Sequence, residues 1–200
     1  MARGRRGDNA PMQRPTFSLT RCTVSRLGLI ALLGFLVACS PTLNWRDVAV
    51  GQQTQVQFPC RPEHAARPLM LGGVPTQAEM WVCDAGGLSW SATVLDVSDP
   101  MRLGAVLRES RLSLAARLQG SEESMRPVQI SGMTLNEEAR RVVIIGNVGK
   151  TGREPQARAE AVFVVRGLQV FQFVVLAQRG APARWAESAD EFLRSVRWPG

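Results

Sequence analysis

The sequence predicts an α+β domain: an antiparallel β-sheet of about six strands with two main helices packed on it, preceded by a signal peptide. Three observations carry this expectation. Six short segments (54–58, 75–83, 88–97, 140–146, 157–165 and 168–177) have the composition of strands, several with period-two alternation. Two longer segments, 99–119 and 183–196, repeat apolar residues at helical spacing. Their order, strands–helix–strands–helix, favours a sheet with helices packed on it over alternating βαβ units.

The chain begins with a basic leader in which Arg3, Arg5, Arg6, Arg14, Arg21 and Arg26 face a single acid, Asp8. The leader is long, and Met12 offers an alternative start. An uncharged apolar run over 27–37 follows, then Ala38-Cys39. Basic region, apolar region and small-residue cleavage site define a secretory signal. A cysteine directly after the small residue makes it a lipoprotein signal, with cleavage between Ala38 and Cys39 and acylation of the Cys39 thiol. As an uncleaved anchor the run falls well short of the roughly 20 residues a bilayer needs. The expected organisation is therefore a signal peptide over 1–38, a lipidated tether over 39–44 and a single globular domain over 45–200.

Trp45–Val48 opens the folded part, and the strand over 54–58 stops at Pro59. The stretch 61–68, rich in proline and polar residues, reads as a loop. Strands over 75–83 and 88–97 flank Asp84-Ala85-Gly86-Gly87, which supplies turn residues. In the second of them Leu88, Trp90, Ala92 and Val94 share one face, and Ser89, Ser91 and Thr93 the other. Asp99-Pro100 starts a helix, since Asp accepts free N–H groups and Pro loses no hydrogen bond there. Leu103, Leu107, Leu114 and Leu118 form its stripe, with Arg111 off it, and Gly120 ends it. Serines and glutamates over 121–124 read as a solvated loop. Arg166-Gly167 joins the last two strands as a tight hairpin, and the final strand is apolar on both faces, as a central strand covered on both sides must be. The last helix buries Trp185, Ala189, Phe192 and Val196.

The start Leu36-Val37-Ala38-Cys39-Ser40-Pro41, running into Asn44-Trp45-Arg46-Asp47-Val48, resembles a group of uncharacterised proteobacterial lipoproteins. Those chains also continue with a short strand ending in proline, here Val56-Gln57-Phe58-Pro59. They close with a helix like Phe192-Leu193-Arg194-Ser195-Val196-Arg197. The order of elements is similar to PsbP-like domains, antiparallel α/β sandwiches. The resemblance implies that fold and an envelope address, and no activity.

Charge argues against nucleic acid as a partner. The chain carries 24 bases and 17 acids, a net +7. Six of the bases lie in the leader, and the charges of the remainder are nearly balanced and scattered, whereas phosphate-neutralising patches are clustered. Cys60 and Cys83 are the two cysteines left in an oxidising compartment. They form either one disulfide, closing a loop of about 23 residues and worth about 3 kcal/mol, or two buried unpaired thiols.

The search for chemistry finds no catalytic constellation, and neither a metal site nor a cofactor is implied. Gly146-Asn147-Val148-Gly149-Lys150-Thr151 has two residues where a P-loop needs four between its glycine and Gly-Lys-Thr, and reads as a hairpin turn. His64 is the only histidine, so no His-Glu-x-x-His pair exists. Gly87-Leu88-Ser89-Trp90-Ser91 lacks the last glycine of a nucleophile elbow. The pairs Glu122-Glu123 and Glu137-Glu138 read as solvated charge. Trp45 and Trp198, near the two ends of the domain, are candidate exposed recognition residues.

The favoured function is a non-catalytic protein-interaction or assembly module, tethered through lipid on Cys39 to the outer membrane and facing the periplasm, with an envelope protein as partner. The outer membrane is favoured because Ser40 stands where a retention aspartate would. The alternative is a periplasmic module holding a small or lipidic ligand between sheet and helix. A hydrolase-type enzyme is third.

Overall fold

The computed structural model describes residues 42–146, 157–178 and 180–198, all within one unit, Pro41–Gly200. The described residues form strands β1 (Arg46–Val50), β2 (Thr54–Phe58), β3 (Glu63–Leu71), β4 (Val74–Ala85) and β5 (Leu88–Asp96). Helix α1 (Leu103–Arg117) is followed by β6 (Ser121–Pro127), β7 (Arg140–Gly146), β8 (Ala157–Arg166), β9 (Gln169–Gln178) and α2 (Trp185–Arg194). No helix among them is long and apolar enough to cross a membrane.

The fold is α+β, with seven strands in the main sheet instead of about six. They run in the order β3-β4-β5-β9-β8-β7-β6, every neighbour antiparallel, while β1 and β2 pair separately as a ribbon. The strands missed at 61–68 and 121–124 are the two edges. Nearly all of β3 is exposed, so no buried face imposes alternation, and an edge tolerates its Pro68. β6 carries Glu122, Glu123 and Arg126, the charges that keep an edge from pairing further.

Period two sorts the central side chains into two cores. Trp90, Ala92 and Val94 of β5 and Phe171, Phe173 and Val175 of β9 point to one face, covered by the ribbon and α2. Leu95, Val142, Ile144, Ala159, Ala161 and Phe163 point to the other, covered by α1. Asp99 caps as expected: its Oδ1 accepts from Met101 N at 2.9 Å before a 3₁₀ turn leads into α1. Arg111 is a correction, being buried instead of lying off the stripe. Its Nη1 donates to Glu122 at 2.5 and 2.6 Å, which lets the charge enter the core. Leu168 is another: β8 and β9 are joined by Gly167-Leu168, leaving Leu168 exposed in the turn.

The C-terminus of α1 lies directly on the end of β7. A Cβ added at Gly146 would come within 2.3 Å of the Leu118 carbonyl oxygen, and one at Gly120 within 2.3 Å of that of Ile145. Backbone cannot retreat as a flexible side chain can. Gly146→Ala is therefore expected to cost at least the roughly 1–3 kcal/mol of an overpacked core, read as a lower denaturant midpoint.

On the outer side of α1, Arg108 donates to Glu138, and that hydrogen bond, with charge from Arg108, Arg111 and Arg140, holds the Glu138 carboxyl below the usual range. A carboxyl depressed on folding adds stability above its unfolded pKa of about 4.3. That contribution is lost as pH falls through the folded value. Glu138→Gln should then lower stability at pH 7 but converge with the parent in acid unfolding experiments near pH 2.

Candidate functional site

Helix α1 packs closest to β6 to β9 and less closely over β3, β4 and β5, whose Leu71, Ala78 and Leu95 still share its buried cluster. A cleft of about 210 Å³ opens between the helix and these strands. Its sheet wall is built by Ser89, Ser91, Thr93 and Leu95 of β5, Met80 and Val82 of β4, Leu69 and Leu71 of β3, and Gln172, Val174 and Leu176 of β9. Ser110, Ser113, Leu114, Arg117 and Leu118 form the helix wall. For scale, an apolar cavity of about 150 Å³ takes up benzene.

One end of the cleft is shut. The β3–β4 turn folds against α1, where Arg102 Nη2 donates to the Leu71 carbonyl at 2.9 Å and Gly72 N donates to Glu109 Oε1 at 2.8 Å. Leu69, Leu71 and Leu95 make this end apolar. At the other end Ser89 and Leu176 also line a shallow depression beside the β4–β5 turn, so the cleft opens there. Gly86 and Gly87 form that turn, both at positive φ, as a two-residue hairpin requires. Leu43 crosses Gly86 so closely that an added Cβ would meet its Cδ2 at 2.9 Å. The entering chain therefore meets the domain at the open end.

Ser110, half-way along α1, is 5 % exposed, and its Oγ has no hydrogen-bond partner among the described residues. An unpaired buried hydroxyl costs about 1–3 kcal/mol. Among the described residues the other such atom is Nε of Arg111, whose charge is met through Nη1.

Of the residues singled out in the sequence, Ser89, Ser91 and Thr93 line the cleft, as do Leu114 and Leu118, and the candidate disulfide and recognition residues lie elsewhere. Cys60 and Cys83 are joined, with Cα atoms 6.1 Å apart, tying the segment after β2 to β4. Trp198 is a correction: it is 8 % exposed, donates from Nε1 to Thr54 Oγ1 at 2.7 Å and meets Phe171 edge-on. Trp45 is half-buried, edge-on to Trp90 at 5.6 Å. Both rings serve the core under the ribbon, and Trp198 is buried there.

His64 is exposed on β3, stacked on Trp81 and 3.0 Å from Glu79. Glu122 and Glu138 are held by Arg111 and Arg108, and Glu123 by Arg158, so these glutamates are in ion pairs and not simply solvated. Among the described residues no three His, Cys, Asp or Glu side chains converge as a metal site would require. Ala38 and Cys39 lie outside the described residues, as does the glycine-rich turn beyond Gly146.

The alternative reading placed a ligand between sheet and helix, where the cleft lies, but the lining residues were not foreseen because their hydroxyls read as a solvent face. The available signal was the pairing of two polar rows, Ser89-x-Ser91-x-Thr93 on a strand and Ser110 with Ser113 on a helix of the same small domain. No protein-family model matches the chain, and no curated protein is significantly similar to it.

Proposed function

We propose that the chain is a lipid-anchored envelope module that binds the apolar part of a small amphiphilic ligand in the cleft between α1 and the sheet. The observation that carries this reading is the largely apolar cleft itself, with the Ser110 hydroxyl buried without a partner behind its wall. A rotation of the Ser110 side chain toward the cleft would let a ligand acceptor recover the lost hydrogen bond. Binding sites are concave, mostly apolar and furnished with a few convergent polar groups, and this cleft has that make-up.

The address rests on sequence: a signal peptide over 1–38, lipid on Cys39, a tether over 39–44, and outer-membrane placement facing the periplasm. The Cys60–Cys83 bond suits such an oxidising compartment. The resemblance to PsbP-like lipoproteins is in keeping with it. The chain acts as a binder and not as an enzyme.

This puts the ligand ahead of a protein partner, because the rings expected to meet one are used in the core. What favours a partner is exposed apolar surface, such as Met70 and Val74 at the β3–β4 turn. Crosslinking in cells would bear it out by capturing one envelope protein that is lost when Cys39→Ala removes the anchor.

Ser110→Ala tests the ligand reading. It is expected to raise the stability of the ligand-free chain by about 1 kcal/mol, because it removes an unpaired group, and to weaken ligand retention. A variant less stable than the parent in urea would mean the hydroxyl has a structural task, and the reading would fall.

A further inference from the structure

We infer that the cleft takes a monoacyl amphiphile with its chain at the closed end, an ester or amide carbonyl at Ser110 and an anionic head at Arg117. This deepens the ligand reading above and rests on it. The cleft is graded along its length. Leu69, Leu71 and Leu95 at the closed end offer nothing to a polar group and suit the end of an acyl chain. Ser110, in the middle, has a hydroxyl to donate and no acceptor among the described residues.

Arg117 lines the open end and is exposed. It follows Ser110 by seven residues, about 10 Å along a helix, and helical side chains lean back toward the N-terminus. Both residues line one slot, at the separation of a short polar linker, and a rotation of the Ser110 side chain brings its hydroxyl into it. A guanidinium at the mouth of an apolar slot selects a phosphate or carboxylate, which it can grip with two hydrogen bonds.

The source of the ligand follows from the same end. Thr42 and Leu43 lie against Gly86 beside the open mouth. Only two residues, Ser40 and Pro41, separate Thr42 from Cys39, a reach of about 10 Å. With lipid on Cys39, the mouth sits at the membrane surface, and a chain can enter the cleft without crossing water. Monoacyl phospholipids and N-acylated amino acids share the chemistry required.

The test uses the full-length chain in phosphatidylcholine nanodiscs with three probes bearing a diazirine near the chain end: lysophosphatidylglycerol, N-acyl glutamate and monoacylglycerol. Adducts are located by peptide mass spectrometry. At least one anionic probe is expected to label the closed end about tenfold more than monoacylglycerol, which has the ester but no charge. Whichever anionic probe does so identifies the source. Arg117→Glu should abolish that preference while leaving monoacylglycerol labelling intact, and Ser110→Val should reduce all labelling. If monoacylglycerol labels as well as the anionic probes and Arg117→Glu changes nothing, the inference fails while the ligand reading stands. If no probe labels the cleft, both fail.

Discussion

Phe192→Ala is expected to destabilise the domain by about 3–5 kcal/mol, the cost of truncating a buried aromatic ring. Phe192 is fully buried, and its ring lies 5.2 Å from Phe58, 5.5 Å from Trp90 and 6.5 Å from Phe173. It is thus the point at which α2, the β1–β2 ribbon and the sheet meet. Those edge-to-face contacts add to the loss of apolar burial. Domains of this size are stable by only about 5–15 kcal/mol, so the variant should unfold at far lower urea, and Trp90 should lose its near-ultraviolet dichroism early. A cost below about 1 kcal/mol would mean that the ribbon and α2 are not packed as described. The cleft, on the other face of the sheet, should still bind in the fraction that stays folded.

Breaking the Cys60–Cys83 bond is expected to cost about 3 kcal/mol. The loop it closes spans 23 residues, and the chain-entropy estimate for that length sets the figure. Cys83 is buried directly opposite Trp90 in the sheet, and Cys60 follows β2. The bond therefore fastens the ribbon to the sheet across the same core that Phe192 fills. The Cys60→Ala, Cys83→Ala double variant should show the loss as a lower midpoint with a steeper slope of unfolding, because the unfolded chain without the crosslink exposes more surface. Because the two sites share one core, combining it with Phe192→Ala should give a non-additive result. Equal stability with and without dithiothreitol would show that the bond adds nothing.

The fold was legible where burial imposed a pattern. In β5 and β9, alternation with Trp90, Phe171 and Phe173 follows directly from a sheet covered on both faces. In β3 and β6 no buried face constrains the sequence, so Pro68 and Glu122-Glu123 read as loops although the backbone pairs. Arg111 broke the helical stripe because its charge is neutralised by Glu122, eleven residues on, a contact that spacing alone does not reveal. The candidate site was illegible for a related reason. Ser89, Ser91 and Thr93 are polar on a half-exposed face whether they meet water or an opposing helix, and only the tertiary position of Ser110 decides between the two. Trp198 likewise looked terminal and free, yet Thr54 and Phe171 enclose it.

The most direct measurement is of what the protein holds when purified. The full-length chain would be taken from membranes into amphipol, extracted with organic solvent and compared by mass spectrometry with Leu114→Trp, whose indole fills the cleft from the helix side. The expected result is one class of monoacyl anion retained near one per chain by the parent and lost from the filled variant. Equal amounts in both, or nothing above the bulk lipid in either, would contradict a ligand-binding cleft.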